Sequence, residues 1–89
     1  MDLKQCSDEE LIVRYRDGDT DAMDFIFERY KHLVRKKAKA MFLAGGDNDD
    51  LIQEGMIGLY KAIRDYNTDR EASFATFASM CINRQMITA

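Results

Sequence analysis

The chain contains no proline and no tryptophan, one histidine, two cysteines and five glycines. Without proline, and with few β-branched residues in runs, nothing interrupts helix over most of the length, and an all-α fold is predicted. His32 alone excludes a histidine-rich metal site and leaves no locally supported Cys-His pair. Cys6 and Cys81 lack metal-ligand spacing, so free thiols in a reducing cytoplasm are the expected state. No run approaches the ~18 apolar residues of a membrane span, and the start MDLKQCSDEE lacks the apolar stretch of a signal peptide. A cytoplasmic protein with no membrane partner is therefore expected. Catalytic signatures are missing too: there is no phosphate-cradling glycine loop, no GxSxG and no HExxH. Neither enzymatic activity nor a cofactor is expected.

What is present fits one domain with one modest core: 89 residues, 46% hydrophobic and 33% charged. The end at Ala89, with no glycine, cap or basic last turn, predicts a segment of a longer chain. The net charge of −3 is unevenly spread. Residues 1–30 are acid-rich, with only Lys4, Arg14, Arg16 and Arg29 as bases, and residues 43–72 are acidic again. Between them KHLVRKKAKAMF carries Lys31, Arg35, Lys36, Lys37 and Lys39 and no acid. That segment is either a solvated basic helix face or a local polyanion contact.

Four helices account for the pattern, forming a compact four-helix domain. The first, over 7–17, has Ser7 as N-cap and Glu10 three residues on, a capping box, and stops at Gly18. The second spans 20–42, with acids early and bases late, and a stripe through Met23, Ile26, Phe27, Tyr30, Val34, Ala38 and Met41. Gly45 and Gly46 mark the turn after it. The third spans 49–66 behind an acidic cap at Asp47 to Asp49, and the fourth 74–89 behind Ser73 or a neighbour. Asp17 to Glu28 places acids as a calcium loop would, but Ala22 stands where that loop needs glycine.

At about 100° per residue, the third helix collects Leu51, Ile52, Gly55, Gly58, Leu59, Ala62, Ile63 and Tyr66 on a core face. Glycine inside a helix costs about 1 kcal/mol relative to alanine. Two of them on one face predict close approach of another helix backbone. The opposite face holds Asp50, Gln53, Glu54, Lys61 and Arg64, with Ile57 near its middle and Tyr60 at its edge. Ile57 is either a single exposed apolar residue or the anchor of a partner-docking surface. On the fourth helix Phe74, Ala78, Cys81, Ile82 and Gln85 share the core side. A second stripe, Thr76, Met80, Asn83 and Ile87, flanked by Phe77 and Arg84, lies opposite. Its aromatic, amide, hydroxyl and guanidinium groups suit stacking and hydrogen bonding to nucleobases, or packing against a further segment.

DLIQEGMIGLYKAIRDY, a short polar loop, and then SFATFASMCINRQMITA resemble region 2 of bacterial sigma-70-family initiation factors over roughly residues 8–89. The details are similar to the sporulation or stationary-phase sigma-H type. The resemblance implies a transcription factor domain that binds core RNA polymerase, through the coiled coil of its β′ subunit, and promoter DNA. Asp50, Gln53 and Glu54 match the family's polymerase-contact positions, with Met56 where primary factors often have asparagine, and Ile57 beside them. Tyr66, Arg70, Phe74, Thr76 and Phe77 match positions that open the −10 element and hold its non-template strand, Phe77 at the aromatic that stacks on a flipped base. Met80, Asn83, Arg84 and Ile87 extend that set, and Lys31, Arg35, Lys36, Lys37 and Lys39 become phosphate contacts. An alignment gap would make Gln85 and Thr88 the upstream readers; the helix wheel favours Arg84 with Asn83. Ala72, Met80 and Cys81 stand where primary factors carry an aromatic and a tryptophan pair, which implies weaker unassisted melting. The resemblance also admits an anti-sigma factor as partner. The alternative is a helical interaction module that keeps the fold without promoter recognition.

Overall fold

The computed structural model describes residues 3–42, 48–67, 69 and 72–88. A 3-10 turn at Leu3–Gln5 leads into four helices: α1 (Asp8–Arg16), α2 (Thr20–Phe42), α3 (Asn48–Asp65) and α4 (Phe74–Thr88). The described residues contain no strand, and the fold is all-α as expected. Gly45, Gly46, Asp47 and Arg70 lie outside the described residues.

Local chemistry accounts for where the helices begin and end. The Ser7 hydroxyl accepts from the Glu10 N–H at 3.1 Å while Glu10 Oε1 accepts from the Ser7 N–H at 3.3 Å, which closes the capping box of α1. The helix ends as the chain passes through Gly18 at φ +107°, a left-handed conformation that L side chains rarely adopt. The Asp19 carboxylate accepts from the Asp21 N–H at 3.1 Å and opens α2. Ala22 is fully buried in the first turn of that helix, so Asp17 to Glu28 does not form a calcium loop. Ser73 caps α4 by accepting from the Thr76 N–H at 3.2 Å.

The core gathers one stripe from each helix: Leu11 and Ile12; Ile26, Tyr30, Val34 and Ala38; Leu59, Ala62 and Ile63; Phe74, Ala78, Ile82 and Met86. Met23, Phe27, Met41, Leu51, Ile52 and Cys81, all expected on core faces, pack against its margin and are only partly buried. The glycines of α3 explain how α4 approaches so closely. A Cβ at Gly58 would lie 2.8 Å from the Cys81 carbonyl oxygen and 2.9 Å from the Ile82 Cα. Backbone meets backbone there, and only glycine fits.

Polar ties from α1 and α2 orient the other elements. The Arg16 guanidinium donates to the carbonyls of Ile63 at 3.2 Å, Arg64 at 3.3 Å and Tyr66, satisfying the C-terminal end of α3 with a cation. Arg29 donates to Asp8 at 3.1 Å and to the carbonyls of Leu3 and Lys4, holding the 3-10 turn against α2. The Tyr30 hydroxyl donates to the other Asp8 oxygen.

Burial first, and then the bond to Asp8, pushes the Tyr30 phenol well above its ordinary value of 10.0. The folded state therefore favours the neutral phenol. This contribution to stability is complete below pH 10 and declines as the pH rises above that, because the unfolded phenol ionises first. Denaturant midpoints measured from pH 8 to 11.5 should fall less steeply in Tyr30→Phe than in the wild type. Parallel curves would refute the assignment.

Candidate docking face and nucleic-acid interface

Along α3 the side turned from the core carries Asp50, Gln53, Ile57, Tyr60, Lys61 and Arg64, all exposed. Ile57 and Tyr60 are each 43% exposed and three residues apart, so they adjoin on the helix surface. They form an apolar centre with acids and an amide toward the N-terminal end and bases toward the C-terminal end, an arrangement that can seat a partner helix and fix its direction. Two expected docking residues sit differently. Met56 is half-buried against the core margin. Glu54 is also half-buried, and its Oε2 accepts from the Gln85 side-chain amide at 2.7 Å.

The second face begins in the core. Tyr30 meets Phe74 edge-on at 5.5 Å, Phe74 meets Tyr66 edge-on at 5.3 Å, and Tyr66 meets Phe77 at 5.6 Å with the rings tilted by 49°. This row runs from the α2 interior to the half-buried Phe77. The Tyr66 hydroxyl donates to the Ala72 carbonyl at 2.8 Å, tying the α3–α4 connection to the row. Two of the expected base-contact positions, Tyr66 and Phe74, are buried in this packing. Phe74 has 0% exposure and Tyr66 3%, and the ring contact to Phe77 comes from Tyr66. Helical periodicity places both on core faces, in agreement with their burial.

On the α2 side of the same helix, Thr76, Met80 and Asn83 line a shallow groove of about 440 Å³ between α4 and α2. Ala75 and Ser79, small residues four apart, give it depth, and Leu33 of α2 forms its far wall. Periodicity does not mark Leu33 for this role, because it lies at the edge of the α2 stripe and only the packing of α4 gives it a function. Met80 is 52% exposed and Ile87 72% exposed, with Asn83 and Arg84 open between them. The expected second stripe is thus one continuous surface. Burial pushes the Cys81 thiol up, so it sits neutral at the inner edge of this helix.

The basic segment divides. Lys36 and Lys37 follow Leu33 by three and four residues and share its side of α2, whereas Lys31 and Arg35 project about 160° away by helical spacing. Lys39 lies off the groove side as well. Two of the five expected phosphate contacts therefore share the side of α2 that Leu33 turns to the groove. Gln85, the rival reader, has its amide oxygen and nitrogen both engaged with α3.

The structure is a four-helix domain with two outward faces, one on α3 and one on α4. The Sigma-70 region 2 family model matches residues 26–89. The chain belongs to the sigma-70 family, as a region 2 domain. It is 51% identical over 85 residues to the RNA polymerase sigma-H factor of Bacillus subtilis (strain 168), covering 96% of this chain and 39% of that protein. The sigma-H factor of Bacillus licheniformis is likewise 51% identical over 85 residues, with 96% and 38% covered. The RNA polymerase sigma-28 factor of Bacillus thuringiensis subsp. kurstaki is 36% identical over 70 residues, with 79% and 30% covered. The chain spans about two fifths of the length of the sigma-H relatives.

Proposed function

We propose that this domain is the core-binding and −10-reading part of a non-catalytic transcription initiation factor. The outward face of α3, centred on Ile57 and Tyr60, docks on core RNA polymerase, at the β′ coiled coil. The α4 surface takes the opened non-template strand of the −10 element. Phe77 stacks on a flipped base, Asn83 and Arg84 supply donors, and Lys36 and Lys37 meet phosphates. The observation that carries this reading is the outward side of α4, where Thr76, Met80 and Asn83 line a groove toward α2 and a half-buried Phe77 rests on Tyr66 at the other flank. It provides a stacking platform and adjacent polar groups on a face separate from the docking helix.

The domain works by binding energy alone. Its net charge of −3 opposes a polyanion, so polymerase supplies most of the affinity and positioning. With methionine and cysteine at positions 80 and 81, fewer rings are available to hold unstacked bases, each ring being worth about 1–3 kcal/mol. Such a domain needs a close match to its promoter.

Gln53→Ala combined with Glu54→Ala should abolish pull-down of core RNA polymerase while the helical circular-dichroism signal is retained. Persistent association would remove the docking assignment. Phe77→Ala in a full-length factor should weaken promoter opening by about 1–3 kcal/mol and leave core association nearly unchanged. Equal loss in both would sink the base-capture role and favour a pure interaction module.

A further inference from the structure

Glu54, Gly58 and Lys61 lie along one strip of α3, four and three residues apart. Gly58 leaves a notch in that strip, and Gln85 of α4 lies over it: a Cβ at Gly58 would come within 3.0 Å of the Gln85 Cβ. From there the Gln85 amide reaches both neighbours. Its Oε1 accepts from Lys61 Nζ at 2.8 Å and its Nε2 donates to Glu54 Oε2 at 2.7 Å. Among side chains of this size only an amide carries an acceptor for the ammonium and a donor for the carboxylate. A glutamate would face Glu54 with like charge, a lysine would do the same to Lys61, and a leucine would satisfy neither.

We propose that Gln85 is a positioning residue for the docking face: from the base-reading helix it fixes the Glu54 carboxylate and the Lys61 ammonium in the geometry that the partner meets. This rests on the docking role proposed for Glu54. A free glutamate samples several rotamers and loses them on binding. With Oε2 held by α4, that loss is already incurred on folding. The same bond withholds the Gln85 amide from nucleobases.

The test uses Gln85→Leu, Gln85→Glu, Glu54→Gln and the Gln85→Glu/Glu54→Gln pair, with affinity for core RNA polymerase, thermal melting, and binding of a −10 non-template oligonucleotide by the complex as readouts. Gln85→Leu should keep the melting temperature, because its aliphatic part still fills the Gly58 notch, yet weaken polymerase binding roughly threefold to tenfold. Gln85→Glu should be harmful beside the native Glu54 and neutral or favourable in the Glu54→Gln background, where a carboxylate at position 85 can accept from both Lys61 and the new amide. A residue that only packs would not show that reversal. Wild-type affinity in Gln85→Leu, or the same loss from Gln85→Glu in both backgrounds, overturns the proposal. So does a loss confined to oligonucleotide binding, which would make Gln85 a reader. Glu54→Ala separates the two levels: if it leaves docking intact, the docking role of Glu54 falls; if it weakens docking while Gln85→Leu does not, only the positioning role falls.

Discussion

Phe74→Ala is expected to lower the stability of the domain by about 3–5 kcal/mol, and to abolish the proposed polymerase and DNA binding together as the fold is lost. The ring is fully buried and makes edge contacts with Tyr30 at 5.5 Å and Tyr66 at 5.3 Å. Its removal deletes apolar contact, two aromatic pairs and the first core residue of α4 at once. Domain stabilities of about 5–15 kcal/mol leave a chain of this size little reserve. Circular-dichroism melts should show a transition shifted far down or no cooperative transition at all. Phe77→Ala, on a half-buried ring three residues later, should by contrast retain the fold. The pair distinguishes two aromatics that look equivalent in the stretch SFATF. A Phe74→Ala variant that melts within a few degrees of the wild type would refute the burial and reopen a direct contact to DNA.

Gly58→Ala is the second large effect, and here the sign is informative. In an ordinary helix interior this change stabilises by about 1 kcal/mol. At Gly58 the new methyl would meet the Cys81 carbonyl at 2.8 Å and the Ile82 Cα at 2.9 Å, both backbone atoms of α4. Neither can turn aside as a side chain would, so α4 itself must move away. Overpacking costs of about 1–3 kcal/mol or more then outweigh the propensity gain, and the displacement also lifts Gln85 from its two partners. Gly55→Ala is a useful contrast. Its Cβ would lie 2.4 Å from the Met86 Cε, a flexible end, and 2.6 Å from Val34 Cγ1, whose branched side chain is stiffer in a helix. Urea midpoints should rank wild type above Gly55→Ala and Gly55→Ala above Gly58→Ala. A Gly58→Ala midpoint at or above the wild type would show that the helices are not in backbone contact.

Much of this architecture is legible in the sequence, for identifiable reasons. Capping is local chemistry, so Ser7 with Glu10 and Ser73 with Thr76 announce two helix starts within four residues of chain. Two glycines on one apolar face imply a close neighbour, because nothing else offsets their cost in a helix. The outward Ile57 and the second stripe of α4 follow from the wheel. Tyr66 and Phe74, which the resemblance matches to base-contact positions, both lie inside.

The sequence by itself determined the helices, their caps, the faces each helix buries and the presence of two unburied stripes, since these depend on residues at most a turn or two apart. Only the tertiary structure decided which distant residues share a site. Arg16 closes the end of α3 across 47–50 positions, Leu33 walls a groove whose floor comes from α4, and Gln85 lies over Gly58 to reach Glu54 and Lys61. Each of these contacts depends on the angle and register at which one helix crosses another, and helical periodicity carries no information about either.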